Sequence, residues 1–497
     1  MSNLELTKKH VSGWSLVLGY MGYVIILIGI MICTPLITLL FYPEELLNAQ
    51  YFFFPGSLSI LFGALMVLRI RKKEKANLKR NHDVIIVFLT WIASILLTAI
   101  PFLLSGKYNF TQSIFEVTSG LTTTGLTISD VENLPKIFLL YRSILHFVGG
   151  VGLILIMTSF LSNVYGMKIY NAEGHPDKLM PNLIKSARVI FLIYAGYIAA
   201  GVALYTFFGM SPFDAINHAI SAVSTGGFST KANSIGYYNS LPIEIISIVL
   251  MLLGSINFLI HLRILSGKWR DPLHHCETPF GIFLVASFTA IFSAILLNGF
   301  CSALPEAIRI SIFHIVSVMT TTGFQTVSGF NIFPSGILFL FILLMFIGGQ
   351  SGSTSGGIKQ YRIIILLKQV YWYIRCQLSP SHEIRVNHVE RFGTKEVIDQ
   401  KAKHEINIFF IIYLLLFLIG TFIYSLYGFS LQDCMFEFAS VLGNGGVTIG
   451  INQFTSYAGI LWTSIIGMIF GRLEIYIVIL TLIRAFISVK NKVTNYR

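Results

Sequence analysis

Ten long apolar runs decide what this chain can fold into. They lie near 11–42, 51–70, 84–104, 137–164, 188–209, 241–263, 279–299, 335–374 with an interruption, 406–428 and 458–488. A helix that crosses a bilayer needs roughly 20 apolar residues, so each run is a candidate span. Charged residues make up only 12% of the chain and hydrophobic ones 54%, whereas a soluble domain carries about 25% charged residues. A soluble globular protein is thereby excluded. The first run follows Lys8-Lys9-His10, is too long for a signal-peptide core and lacks a small-residue cleavage site, so it reads as a retained first span. Cys33, Cys276, Cys301, Cys376 and Cys434 are odd in number and scattered, and they imply no disulfide framework.

The net charge of +12 is the sum of two unlike faces. Numbering the loops alternately, segments 1–12, 69–83, 165–188, 263–277, 359–405 and 484–497 hold 29 of the 35 Lys and Arg and 12 of the 23 acids, a net +17. The opposite side holds Lys107, Lys136, Arg142, Lys231 and Arg309 against ten acids, a net −5. Basic loops mark the cytoplasmic side, so both termini are expected there. This pattern accounts for the basic residues as topology and gives no reason to invoke nucleic acid.

Four segments share one register. They are Ser119-Gly-Leu-Thr-Thr-Thr-Gly125, Ser221-Ala-Val-Ser-Thr-Gly-Gly227, Ser317-Val-Met-Thr-Thr-Thr-Gly323 and Ser440-Val-Leu-Gly-Asn-Gly-Gly446, with a serine six residues before a glycine in each. The glycines are 102, 96 and 123 residues apart, and an apolar span precedes and follows every copy. The stretch leading into each motif, such as 109–122 or 211–224, covers only roughly 20 Å as a helix and cannot cross a ~30 Å hydrocarbon core. It must enter and leave by the same, outer, side.

Non-helical backbone at membrane depth is tolerated where it lines a cavity or is covered by protein. Four such segments can surround one axis. Glycine permits positive φ, which can turn carbonyl groups towards that axis in place of a cation's hydration shell. The half-helices would point their negative C-terminal ends the same way. Small residues that merely let helices pack closely explain one such motif, but not four in one register. Nine residues before each glycine stand Glu116, His218, His314 and Glu437, which are expected to hydrogen-bond the backbone behind the filter because buried polar groups need partners.

This repeat of span, pore loop and span resembles the Trk/Ktr/HKT superfamily of potassium transporters. The Gly348-to-Lys359 string, Gly471-Arg-Leu-Glu-Ile475 and two extra N-terminal spans make it most similar to the TrkH-type potassium uptake proteins of bacteria. The resemblance covers nearly the whole chain. It implies an all-α polytopic membrane protein in which four parallel M1, pore loop, M2 repeats surround a pseudo-fourfold ion pore. The corresponding division is a two-helix segment over 1–80, pore repeats over 81–170, 171–270 and 271–375, a cytoplasmic loop over 376–405 and a fourth repeat over 406–497.

The resemblance implies further that K+ is the transported ion and that no organic cofactor is held. The K+ filter would comprise Thr122, Thr123, Thr124 and Gly125; Ser224, Thr225, Gly226 and Gly227; Thr320, Thr321, Thr322 and Gly323; and Gly443, Asn444, Gly445 and Gly446. The fourth copy departs from the threonine pattern and cannot offer the same hydroxyls. A homodimer in the bacterial inner membrane is implied, with a TrkA-like cytosolic ring of nucleotide-binding domains as regulator and coupling to H+ or Na+ left open.

Within the third repeat, Gly348, Gly349, Gln350, Ser351, Gly352, Ser353, Thr354, Ser355, Gly356 and Gly357 interrupt a span. Each glycine costs about 1 kcal/mol against alanine in a helix, so this run is expected to be an intramembrane gating loop rather than helix. Arg472 lies inside the last span, where an unpaired charge costs several kcal/mol and normally faces an interior cavity. In the family an arginine here forms an electrostatic barrier beneath the filter. Lys359 ends the gating string at the cytoplasmic edge, where snorkelling competes with a gating role. A short hairpin is expected around Arg391-Phe-Gly393, within a loop that suits partner docking.

Other chemistries fit less well. Gly349-Gln-Ser351-Gly352 matches a Gly-x-Ser-Gly protease string with His261 or His314 as nominal base, but leaves the repeats unexplained. No Gly-Lys-Ser/Thr follows the glycines for phosphate binding, and the adjacent His274, His275 and Cys276 cannot all point at one ion. The chain is not expected to be an enzyme. Alternating-access carriers commonly use inverted repeats, whereas these four run in one direction.

Overall fold

The computed structural model describes residues 13–70, 82–152, 183–378 and 386–473, with 475, 478, 479 and 483 beyond. Both termini and the basic stretches at 71–81 and 165–182 lie outside the described residues, as does Glu474.

Helices α1 (Gly13–Cys33) and α2 (Leu46–Ile70) form an N-terminal hairpin. A Cβ on Gly22 would stand 2.9 Å from the Gly63 carbonyl oxygen, and one on Gly29 would stand 2.8 Å from that of Gly56. Bare glycine backbone lets the two helices touch, which matters in lipid because apolar burial does not drive helices together there. The hairpin is tied to the first repeat by Glu45, whose carboxylate accepts from the backbone N–H of Lys136 at 2.6 Å and of Ile137 at 2.8 Å. A carboxylate at a helix N-terminus satisfies free amides and complements the dipole.

Four units then repeat one plan. The first has α3 (His82–Leu104), α4 (Phe110–Leu121) and α5 (Lys136–Val151). The second has α6 (Leu183–Phe207), α7 (Pro212–Val223), α8 (Leu241–Ser255) and its continuation α9 (Phe258–Leu265). In the third come α10 (Glu277–Leu297), α11 (Leu304–Met319), α12 (Ser335–Ile347) and α13 (Gln360–Gln377). The fourth has α14 (Gln400–Ser425), α15 (Leu431–Gly443) and α16 (Ala458–Arg472).

Six helices among the described residues are individually long and apolar enough to cross a bilayer. The four second helices of the repeats, α5, α8, α12 and α16, are broken or short, and α8 turns by 105° into α9. Six long helices and four broken ones account for the ten apolar runs. The chain is a multi-pass helical membrane protein.

The pore helices α4, α7, α11 and α15 have 12, 12, 16 and 13 residues. Three begin at side-chain caps. Asn109 accepts from Gln112 N in a full capping box, Ser211 from Asp214 N and Ser430 from Asp433 N, so orphan amides are satisfied at the outer ends. Between α13 and α14, β1 (His388–Arg391) pairs antiparallel with β2 (Thr394–Val397) through a turn at Phe392 and Gly393, with φ of 50° and 76°. Positive φ at both turn positions suits a two-residue hairpin. Val389, Ile398, Ile365 and Ile406 form a small apolar cluster that seats it on α13 and α14.

Candidate functional site

Every pore helix ends in the shared motif, and one backbone bond explains its register. The amide just before the filter glycine donates to the carbonyl of the motif serine: Thr124 to Ser119 at 2.9 Å, Gly226 to Ser221 at 2.8 Å, Thr322 to Ser317 at 2.9 Å and Gly445 to Ser440 at 2.7 Å. Two positive-φ residues follow in each copy. The glycine itself is one, with φ of 83°, 79°, 86° and 68° at Gly125, Gly227, Gly323 and Gly446. The residue two places earlier is the other, with 54°, 51°, 57° and 53° at Thr123, Thr225, Thr321 and Asn444. Left-handed backbone at a β-branched residue is strained, of order 1–3 kcal/mol, and marks functional segments. Asparagine tolerates that conformation better, which gives the fourth copy its own answer to the same backbone demand.

The four segments close into a ring. A Cβ added to Gly125 would come within 3.0 Å of the Gly226 carbonyl oxygen, and one on Gly227 would do the same with Thr322. Gly323 meets the Gly445 oxygen in the same way, with more room at 2.7 Å, and Gly446 meets that of Thr124. Each glycine therefore abuts the residue before the glycine of the next repeat, in the order one, two, three, four, one. The fourth seam carries an added bond, because Asn444 Nδ2 donates to Thr124 Oγ1 at 2.8 Å and to the Met468 carbonyl at 3.1 Å. Thr122 and Thr124 hydroxyls pair at 2.7 Å, and Thr320 and Thr322 at 2.8 Å. In all four segments the glycine is half-buried while the residue before it is buried, so the glycines sit where the ring meets solvent.

The polar column holds the chain that leaves the ring. Glu116 accepts from Thr127 Oγ1 at 2.7 Å and Ile128 N at 3.2 Å. His218 Nε2 bonds Ser229 Oγ at 2.9 Å, and Thr326 N donates to His314 Nε2 at 3.4 Å. Glu437 takes Thr448 Oγ1 at 2.8 Å, Ile449 N at 3.0 Å and Asn452 Nδ2 at 2.8 Å. All four side chains are fully buried.

Sequence reasoning missed Arg142, counted there among outer-face charges. It is 1% exposed, pairs with Glu116 at 2.9 Å and covers the Phe228 ring at 3.9 Å. The signal for it was an arginine inside an apolar run, the argument applied only to Arg472.

Residues 348–357 lie against the ring as an irregular segment. Thr225 Oγ1 donates to Thr354 Oγ1 at 3.0 Å, and Gly356 N donates to Thr321 Oγ1 at 2.7 Å. A Cβ on Gly356 would overlap the Gly443 carbonyl oxygen. The segment therefore touches the second, third and fourth filter copies. Its first half binds the break after α8: Gln350 N donates to Ser255 O at 3.0 Å and Asn257 Nδ2 to Ser351 O at 2.6 Å. At its exit Ile358 N, Lys359 N and Gln360 N return to Phe346, Ile347 and Gly349 carbonyls.

Arg472 ends α16 and reaches the same place, donating to Thr354 O at 2.6 Å and Gly149 O at 2.5 Å. Lys359 holds the Ser355 carbonyl. Between them a cavity of about 60 Å³ opens, lined by Ser353, Gly356, Lys359, Arg362, Gly152 and Arg472 among others. The ring nitrogens of His261 are engaged by Tyr197 and the Leu253 carbonyl, and those of His314 by Ile310 O and Thr326 N. Ser351 is held instead by Glu277 and Asn257.

Comparison with known proteins gives the family and the fold. The sequence profile of the TrkH family, described as a cation transport protein, matches residues 48–275 and 280–491. An uncharacterized cation transporter of Methanocaldococcus jannaschii is 32% identical over 96% of both chains. The Trk system potassium uptake protein TrkH of Escherichia coli is 34% identical over 82% of this chain and 86% of its own. The crystal structure of the potassium transporter TrkH from Vibrio parahaemolyticus superposes with a TM-score of 0.83 at 27% identity, covering 94% of this chain and 98% of that one. This chain belongs to the TrkH family of cation transport proteins.

Proposed function

We propose that the protein is the channel-like, K+-translocating subunit of a Trk-type uptake system in a bacterial inner membrane. The observation that carries this reading is the closed ring of Gly125, Gly227, Gly323 and Gly446, each abutting the next repeat's carbonyl. A ring of carbonyls replaces a monovalent cation's hydration shell, and the pore helices' C-terminal ends add negative potential beneath it. The potassium uptake relatives support the choice of ion.

Residues 348–357 form the gate in this reading. The segment hydrogen-bonds two filter copies directly, so a change in its position opens or closes the path below the ring. Arg472 supplies a positive charge at the same level and latches the Thr354 carbonyl. Lys359 anchors the loop's exit. The excess of basic residues in alternate loops supports cytoplasmic termini, on the side where a nucleotide-binding ring regulates a homodimer whose protomers each own a pore. The repeats run over 81–170, 171–270, 271–375 and 406–497, after a two-helix segment at 1–80.

Flux from purified protein in liposomes under K+, Rb+, Na+ and NH4+ tests the reading. K+ and Rb+ should permeate well ahead of Na+, with current linear in voltage. Equal permeation by all four ions would overturn it.

A further inference from the structure

Outside the ring, one fully buried carboxylate gathers both ends of the candidate gate. Glu277, the first residue of α10, accepts through Oε1 from Ser351 N at 2.7 Å and from Tyr361 N at 2.9 Å. One of these amides lies within the loop near its start and the other just past its exit. A carboxylate accepting backbone N–H bonds in a buried site makes strong, charge-assisted contacts, so Glu277 acts as a clasp across the loop's base.

The residues just before Glu277 are held in turn by the β1–β2 hairpin. Cys276 N donates to Glu390 O at 3.1 Å, and Gly393 N donates to His274 O at 3.3 Å. The Phe392 ring lies 4.5 Å from the buried His275 ring, and the Arg263 guanidinium stands over the Phe392 ring at 5.2 Å. Arg391 covers the Tyr361 ring at 5.0 Å. The outer strand Thr394–Val397 is exposed along its whole length. The hairpin thus has one edge free and its turn packed on the segment that carries the clasp.

We infer that Glu277 is a positioning residue for the gating loop and that the hairpin at 388–397 is the cytoplasmic lever that moves it. The inference rests on the reading of residues 348–357 as a gate. A displacement of the hairpin shifts residues 274–276, and Glu277 passes that shift to both ends of the loop at once. Movement at the base of the loop leaves the ring glycines in place, so the device alters opening and not ion choice.

Amide hydrogen exchange over 348–361 tests the clasp without any ion flux, in full-length protein. Glu277→Ala should speed exchange of those amides by roughly tenfold, the effect of losing buried hydrogen bonds of this kind. Glu277→Gln keeps an acceptor oxygen at the same place and should stay close to the parent. Phe392→Ala removes only ring contacts at the hairpin and should act in the same direction but less, adding nothing in the Glu277→Ala background. In liposomes both alanine variants should raise K+ flux with the K+ to Na+ ratio unchanged. Unchanged exchange in Phe392→Ala, a full additive effect in the double variant, or an altered ion ratio would overturn the proposal. Loss of K+ preference in the parent protein, with the exchange pattern as expected, would instead sink the potassium reading and leave the clasp standing.

Discussion

Glu116 and Glu437 fill the same position in the first and fourth repeats, yet their surroundings differ in one decisive respect. Glu437 is met by neutral donors, Thr448, Ile449 and Asn452. Glu116 also faces the buried guanidinium of Arg142. Breaking a buried ion pair by removing one partner leaves an uncompensated charge, at a cost of about 3–5 kcal/mol. Glu116→Gln should therefore lower the thermal unfolding midpoint in detergent markedly, and Arg142→Met added to it should recover much of the loss. An unchanged midpoint in the single variant would remove the pair from the stability account. The sequence showed that this column is polar and aligned, because burial and spacing are visible along the chain. It did not show Arg142 as Glu116's partner, because that contact joins α4 to α5 and depends on how the two helices face each other.

At the level of elements, all four second helices stop 24 to 28 residues after their filter glycine. The break was legible in the third repeat, where five glycines interrupt the run. Elsewhere the signal was thin: Gly149-Gly150, Gly254-Ser255 and Gly471-Arg472, standing 24 to 28 residues after their filter glycines. Gly149, Gly254 and Gly471 each press on a carbonyl in the final turn of their own pore helix, at Leu121, Val223 and Leu442. A side chain there would collide, so each glycine is required by close approach. In this register Arg472 stands where the first and second repeats carry Gly150 and Ser255. Those two copies keep a small residue at that level, and the fourth fills it with a guanidinium that bonds Thr354 and Gly149 carbonyls. Arg472→Ala removes both a latch and a charge near the path. K+ flux in liposomes should rise by roughly tenfold, equivalent to ~1.4 kcal/mol of barrier; equal or lower flux from folded protein would refute the barrier.

For the molecule as a whole, the ring makes a graded prediction. Alanine at any of the four filter glycines puts a methyl group against the neighbouring carbonyl, on backbone already at positive φ. Gly323 has the most room, 2.7 Å to the Gly445 oxygen. The Na+ to K+ permeability ratio should rise in all four variants and rise least for Gly323→Ala. A different order would mean that the seams do not set selectivity. The existence of four copies was plain from the sequence, since each lies between two apolar runs. Which copy touches which was not, because ring order is a property of packed tertiary structure.

One chain supplying all four quadrants has a further consequence. In a tetramer of identical subunits an inserted segment arrives four times and must leave the axis clear in every copy. Here a ten-residue insertion enters from one quadrant alone and spreads across contacts with three filter copies, while a different quadrant contributes Arg472, which bonds its Thr354 carbonyl. Covalent linkage of unequal quarters thereby makes room for a single off-centre plug, which fourfold identity would forbid.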